Sequence, residues 1–310
     1  MLILIIGLGS IANKHIHAIR SINNNATIYA LRSGKDSLVI DGIINLYSED
    51  EIPEGLDFAI VSNPTQKHFE TIEKLTKLGV PLFIEKPPLH TIERSETLVR
   101  PLDEKKITTY IACNLRFHPC IEFIKGHLQA NNSRINEVNV YCGSYLPDWR
   151  PGKNFRDIYS ASEALGGGVH LDLYHEMDYS VWLFGMPHSN KGYRSSKSSL
   201  GIDSSDYANY LLSYKGFNLS IILNYYRRKP RRSIEIVFED STVTVDLITN
   251  KVLIDTGAVI FAAEEYSIMN SYIDQMKYFI ECIKSELKPM NDFNEALGIL
   301  KLCLKNESAS

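Results

Sequence analysis

The chain opens with a short continuous apolar run, Leu2 to Ile6, followed at once by glycines. A run of that length with no polar alternation is the pattern of a strand buried on both faces. Ala12, Ile16 and Ile19 then recur at helical spacing. Thr27 to Leu31 and Phe58 to Val61 read as further strands. Thr65 to Leu78 reads as a helix stopped by Gly79 and Pro81. Leu82 to Ile84 is a strand, Ile92 to Leu102 a helix, and Ile107 to Ala112 another strand. Alternating strands and helices predict a parallel, doubly wound sheet with right-handed crossovers. Beyond residue 117 the pattern changes. A helix over Cys120 to Leu128 and a strand over Asn136 to Tyr141 precede a polar, aromatic loop from Gly143 to Glu163. A helix is expected from Val169 to Phe184. Strands are expected over Tyr207 to Ser213, Asn218 to Tyr226, Ser233 to Phe238, Thr242 to Leu247 and Val252 to Asp255. The short turns between several of them predict a mostly antiparallel sheet. Two helices end the chain, the first with Ile273, Met276, Ile280 and Ile283 on one face, the second capped near Asp292. Residues Asn306 to Ser310 are expected to fray.

The fold class is therefore α/β: an N-terminal Rossmann domain over 1–117, then an α+β domain with a large, mostly antiparallel sheet over 118–310. A length of 310 residues suits two domains. The net charge of −4 argues against nucleic-acid binding through bulk positive charge. No segment reads as a membrane span or a signal peptide, so a cytoplasmic location is expected. The five cysteines are scattered, with no Cys-x-x-Cys pair. They read as buried apolar residues of a reducing compartment, and no metal site is expected.

Candidate chemistry begins at Gly7-Leu8-Gly9-Ser10-Ile11-Ala12, a G-x-G-x-x-A fingerprint. Gly7 permits the tight turn, Gly9 lets backbone approach a pyrophosphate, and Ala12 allows close helix–strand packing. The N–H groups at the helix start, from Ser10 and Ile11, favour an anion. The strand before it and the helix after it are the context the motif requires. An acidic residue about 20 positions on would grip the ribose of NAD. Arg32 and Ser33 stand there instead, with Lys35 close by, which favours the 2′-phosphate of NADP over NAD; a solvated basic loop is the alternative.

Glu85-Lys86-Pro87 lies at the C-terminal end of a parallel strand, the edge where open α/β sheets bind ligands. The Lys86–Pro87 bond is a candidate for the cis form. A lysine here can share the proton of an alcohol as its carbon loses hydride; a strand-end lysine before a proline turn is the plainer reading. The second cluster is Gly166-Gly167-Gly168 followed by Asp172, His175, Glu176 and Asp178. Asp172 and His175, three apart, share one helical face, which suits proton transfer, sugar-hydroxyl binding or a merely structural histidine. The aromatic and basic loop before it, with Trp149, Arg150, Asn154, Arg156 and Tyr159, reads as a lid over a polar substrate. A second basic run, Tyr225 to Arg232, either joins that pocket or forms a solvated hairpin edge that discourages strand pairing.

Together these motifs resemble the glucose–fructose oxidoreductase, inositol dehydrogenase and rhizopine-catabolism (Gfo/Idh/MocA) family. Ser62-Asn63-Pro64 with His68, and Arg116-Phe117-His118-Pro119, add to the likeness. The resemblance implies a cofactor of NADP or NAD and hydride transfer to or from a hydroxyl or keto group of a sugar, polyol or nucleotide sugar, with a role in surface-glycan synthesis suggested by the same likeness. It implies Lys86 as catalytic lysine, His175 as the histidine of the second motif and Asp172 as its companion acid. The family spacing of those two is four residues; here it is three. The cofactor residues it implies are Ser62, Asn63, Pro64, His68 and Glu85 beside those above, and Arg116 joins the substrate set. Family members often pair through the large sheet, so a homodimer or homotetramer is expected, with helices over one face of strands such as Leu219 to Leu223. Two rival readings use the same fold: a non-catalytic dinucleotide-binding sensor, and a glycoside hydrolase with a tightly held NAD.

Overall fold

The computed structural model describes residues 1–34 and 39–307. Lys35 and residues 308–310 lie outside them. Five of the expected strands and a sixth form one parallel sheet: β1 (Leu2–Ile6), β2 (Thr27–Leu31), β3 (Ile43–Leu46), β4 (Phe58–Val61), β5 (Leu82–Ile84) and β6 (Thr109–Ile111). Their order is β3-β2-β1-β4-β5-β6, the doubly wound order with its switch point beside β1. Ile3, Leu4 and Ile5 are fully buried, which explains the absence of alternation in this strand. The helices of this part are α1 (Ser10–Ile22), α2 (His68–Thr76) and α3 (Glu96–Glu104). The strand β3 was not expected. It is short, sits at the sheet edge and carries Asn45 among its four residues.

The second half holds α4 (Pro119–Ala130), β7 (Ile135–Tyr145), α5 (Val169–Asp172), α6 (Tyr174–Phe184) and strands β8 (Ser189–Ser195), β9 (Tyr207–Ser213), β10 (Asn218–Asn224), β11 (Tyr226–Phe238), β12 (Thr242–Asp246), β13 (Lys251–Ile254) and β14 (Val259–Ala262). They form an eight-stranded sheet in the order β14-β13-β12-β11-β7-β10-β9-β8. Every pairing is antiparallel except β7 with β10. Val138, Val140, Leu219, Ile221, Ile234 and Ile236 bury one face, and α4, α5 and α6 pack on this sheet. The edge strands β8 and β14 escaped the pattern reading because β8 is polar and β14 is largely exposed. The basic run forms the first half of β11, where Arg228 to Arg231 are exposed and a register shift against β7 falls between Tyr226 and Arg231; β12 pairs with the strand only from Ser233 onward, so the run is a solvated edge segment.

Two helices close the chain, α7 (Ile268–Lys284) and α8 (Phe293–Leu304). Asp292 caps α8 as expected, accepting from the N–H of Glu295 at 2.8 Å. The chain divides into two compact units, 1–114 with 267–298, and 115–266 with 299–310. Residues 267–298, which the sequence reading placed in the second domain, thus belong with the first. The cause is packing: α7 lies on α1, and Phe279 sets its ring 5.4 Å from those of Phe58 and Phe83 and 5.9 Å from that of Tyr110. Asn306 and Glu307 do not fray; each bonds β8, through the N–H of Arg194 and the carbonyl of Gly192.

Candidate functional site

In the first unit three turns meet at the C-terminal ends of β1, β4 and β5. Gly7 has φ +92°, and a Cβ there would lie 2.4 Å from the backbone of Asn63. Only glycine fits so close to the neighbouring turn. Ser62 Oγ donates to the carbonyl of Gly7 at 2.8 Å. Asn63 Nδ2 donates to Thr71 Oγ1 at 2.7 Å, while its buried Oδ1 has no partner. His68 spans the second and third turns, with ring nitrogens 3.0 Å from the carbonyl of Asn63 and 3.1 Å from that of Pro88. Burial lowers the His68 pKa, against the pull of those carbonyls and of Glu85.

The third turn carries Glu85, Lys86 and a cis Lys86–Pro87 bond. Glu85 is buried, and its Oε1 lies 2.6 Å from Nε2 of His15, itself fully buried on α1. Its Oε2 accepts from the N–H of Lys86 at 3.2 Å. His15 thus ties the helix that starts at the glycine turn to the backbone of Lys86. Sequence reading passed over His15. A polar side chain on the apolar stripe of α1, one residue from Ile16, was the available signal.

This unit fits a dinucleotide. A Cβ on Gly9 would meet no atom within 4 Å, so the start of α1 is open. No side chain caps that helix and no acidic residue stands in its first turn, leaving N–H groups and the positive end of the helix dipole for phosphate. Ser10 is exposed and Ala12 fully buried, as their tasks require. Arg32 Nη1 donates to Asn45 Oδ1 at 2.8 Å at the end of β2, and Ser33 is exposed beside it.

In the second unit the centre is Asp172, the last residue of α5. Its Oδ1 accepts from the hydroxyl of Tyr159 at 2.7 Å and its Oδ2 from that of Tyr225 at 2.6 Å. Burial and then the carboxylate push both phenol pKa values well above their ordinary range. Both therefore stay hydroxyl donors to the Asp172 carboxylate. The ring of Trp149 packs edge-on to Tyr225 at 5.3 Å, and its Nε1 donates to Ser144 Oγ at 2.9 Å. The guanidinium of Arg150 lies 5.7 Å from the ring of Tyr159. The expected single helix breaks at Leu173 (ψ 38°), between Asp172 and His175. His175 is half-buried in the first turn of α6. Gly167 makes the turn before α5 possible, since a Cβ there would lie 2.1 Å from the Tyr159 carbonyl oxygen.

Other members of the expected substrate set are used elsewhere. Arg116 is fully buried and pairs with Asp178 through Nε at 3.0 Å and Nη2 at 2.8 Å. It is an internal ion pair, not a substrate ligand. Asn154 caps the turn 155–157, and Arg156 donates to the carbonyl of Leu200 at 2.8 Å. Within the basic run, Arg232 bonds the buried Glu176 at 2.6 Å, while Arg227, Arg228 and Arg231 lie against the rings of Tyr141 and Tyr145. Tyr225 was missed as a site residue, although its alternation with Leu223 and Ile221 aims it at the buried face.

Sheet order, glycine turn and clamped lysine together define a nicotinamide-dinucleotide-binding Rossmann unit joined to a unit built on a large sheet. Residues 1–112 match the profile of the oxidoreductase family with an NAD-binding Rossmann fold, Gfo/Idh/MocA. Over those residues the chain is similar to the Gfo/Idh/MocA family. The chain is 29% identical over 133 residues to scyllo-inositol 2-dehydrogenase (NADP(+)) of Bacillus subtilis, a stretch covering 43% of this chain and 36% of that one. It is 22% identical over 202 residues to the rhizopine catabolism protein MocA of Rhizobium meliloti, covering 63% and 61%. The alignments thus span between about one third and under two thirds of these relatives. Among solved structures, UDP-N-acetylglucosamine 3-dehydrogenase from Acidithiobacillus ferrooxidans superposes with a TM-score of 0.78 at 19% identity over 98% of this chain and 95% of that one. The WlbA dehydrogenase from Bordetella pertussis, solved with NADH and UDP-GlcNAcA, gives 0.81 at 19% identity, covering 97% and 93%. At that identity the likeness shows the shared fold.

Proposed function

We propose that the protein is an NAD(P)-dependent oxidoreductase acting on a hydroxyl or keto group of a sugar, polyol or nucleotide sugar. The observation that carries the reading is Lys86, set on a turn that His15 and Glu85 fix at the sheet edge beside an open glycine cradle. In this reading Gly7, Gly9, Ser10, Ile11 and Ala12 hold the pyrophosphate. Ser62, Asn63, Pro64 and His68 shape the adjoining wall, and Arg32 with Ser33 takes the 2′-phosphate of NADP. The bound nicotinamide supplies or accepts the hydride. Lys86 takes the hydroxyl proton as the carbon loses hydride and returns it in the reverse direction. Asp172, held by Tyr159 and Tyr225, accepts hydrogen bonds from substrate hydroxyls, with His175 as a second proton-handling group. Similarity to dehydrogenases of inositol and of UDP-N-acetylglucosamine supports the substrate class. A role in surface-glycan synthesis belongs to the same reading through the nucleotide-sugar neighbours. A cytoplasmic site of action fits the five cysteines, all buried and free, and among the described residues no helix is long and apolar enough to cross a membrane.

The test is a fluorescence titration with NADH and NADPH, followed by turnover on sugars and nucleotide sugars. Lys86→Ala is expected to keep dinucleotide affinity and lose turnover about a thousandfold or more. Arg32→Asp is expected to weaken NADPH about tenfold more than NADH. Binding of neither nucleotide would overturn the cofactor assignment, and full activity of Lys86→Ala would remove it from the chemistry. Turnover of a glycoside to its hydrolysis products with no net change in the nicotinamide would establish the hydrolase instead.

A further inference from the structure

His68 is held by two groups that a neutral ring cannot both satisfy. It is the first residue of α2 and is buried. Its Nε2 lies 3.0 Å from the carbonyl oxygen of Asn63, and its Nδ1 lies 3.1 Å from that of Pro88. Carbonyl oxygens only accept. A neutral imidazole has one N–H and one lone pair, whereas the imidazolium has two N–H groups. In the neutral ring one nitrogen therefore turns its lone pair on a carbonyl oxygen. Doubly protonated, the ring donates to both.

The two carbonyls belong to different turns of the cofactor edge. Asn63 packs against the glycine turn, since a Cβ on Gly7 would lie 2.4 Å from its backbone. Pro88 follows the cis Lys86–Pro87 bond. His68 thus links the wall of the phosphate cradle to the turn that carries Lys86.

Opposed influences set the charge of the ring. Burial lowers its pKa, while the carbonyls of Asn63 and Pro88, and then Glu85, pull it up. Glu85 is itself bonded by His15 and by the N–H of Lys86. On α2, Lys67 and Glu70 are exposed, and β4 beneath it carries no charged residue. Beside it, Arg94 lies 4.6 Å from the ring of Phe69, and Arg100 of α3 pairs with Glu104. Lys86 and the half-buried His90 flank the Pro88 turn. A dinucleotide at the start of α1 adds the negative charge of its pyrophosphate beside this cluster, which favours the imidazolium.

We propose that His68 is a positioning residue that takes up a proton from solvent when the dinucleotide binds and, as an imidazolium, fastens the Asn63 turn to the turn of Lys86. The inference rests on the cofactor reading above and adds to it a link between cofactor binding, pH and the setting of the lysine. In the free protein His68 titrates below 6.5, and in the complex it titrates higher. NADH affinity therefore rises as pH falls through the window between the two values, by about tenfold for each unit that binding raises the second.

The test is calorimetric titration of the full chain with NADH at about pH 6.5 and about pH 8, each in two buffers of different ionisation enthalpy, which counts the protons taken up. NADH is the probe because the 2′-phosphate of NADPH itself titrates near about pH 6. The wild type is expected to take up a proton fraction of about one half per NADH at the lower pH and close to none at the higher, and to bind about threefold to tenfold more weakly there. His68→Gln, which keeps an N–H donor but no titrating ring, is expected to bind NADH with neither proton uptake nor pH slope. Binding without uptake in the wild type overturns the proposal. Uptake that persists in His68→Gln assigns the proton to another group and overturns it too. Should His68→Gln fail to fold, NMR of the histidine-labelled wild type decides: a buried histidine must pass from neutral to doubly protonated on adding NADH, and none doing so overturns the role of His68. No binding of NADH at all would end the cofactor reading itself, and this inference with it.

Discussion

At the residue scale, the chemistry in short motifs was legible, and the partners that hold it were not. The glycine turn, Lys86 and the cis candidate at Pro87 each rest on neighbours a few positions away. His15 meets Glu85 across 70 residues of chain, Arg116 meets Asp178 across 62, and Tyr225 meets Asp172 across 53. Nothing local marks such pairs, and Arg116 beside a Phe-His-Pro run reads as a ligand until its partner is known. The Tyr225–Asp172 bond carries a prediction. Tyr225→Phe keeps the ring against Trp149 and removes one hydrogen bond to a carboxylate. Bonds to charged groups contribute about 1.5–3 kcal/mol, so kcat/KM for the sugar should fall by about tenfold to a hundredfold. The loss should appear mainly in KM for the sugar, with NADH affinity unchanged. An equal loss of NADH affinity or a collapse of Tm would reduce Tyr225 to a packing role.

At the element scale, buried strands and amphipathic helices were read well because burial writes periodicity into sequence. Strands β3, β8 and β14 were missed because edge strands with polar or exposed residues carry little of that signal. The expected helix from Val169 was split by a turn that no glycine or proline announces. Two helix positions hold histidines whose burial makes the fold sensitive to acid. His118 caps α4, its Nδ1 accepting from the N–H of Cys120 at 3.2 Å, and its pKa is lowered to about 4 by burial. His170 of α5 accepts from Arg194 at 2.5 Å, and burial, then Arg194, lowers its pKa to about 3. Both folded values lie below the ordinary 6.5. The unfolded chain therefore takes up protons first as pH falls. Their stabilising effect is complete above pH 6.5 and declines toward pH 4 and 3. At about 1.4 kcal/mol per unit and group, the two together cost about 4 kcal/mol by about pH 5. Denaturant titrations from neutral pH to pH 5 should show that fall, and His170→Gln, which keeps an acceptor for Arg194, should remove about half of it. An unchanged slope in His170→Gln would mean other groups set the acid limit.

At the scale of the whole molecule, the two-unit plan was readable from the switch between alternating and all-strand patterns. The return of 267–298 to the first unit was not, because nothing in the sequence of α7 says which core receives Phe279. The uncovered face of the large sheet raises the question of assembly. Paired registers set Lys191, Leu211, Ser220, Asn139, Glu235, Thr244 and Leu253 in one row across seven strands. Leu211 is 46% exposed in the middle of strand β9, and Ile222, Val237 and Tyr141 stand half-buried on the same face. A mixed face of this kind matches the composition of interfaces between copies, apolar at the centre and polar around it. The pairing expected from the family resemblance would place this face against a second copy in a two-fold arrangement. Leu211→Arg should then convert a dimeric or tetrameric species to one of monomer mass, read by light scattering during gel filtration. Far-UV circular dichroism and NADH affinity should be unchanged, because Leu211 points away from the helices and lies outside the Rossmann unit. A wild type that already runs at the monomer mass of 35.2 kDa would leave the sheet face to solvent and end the assembly proposal.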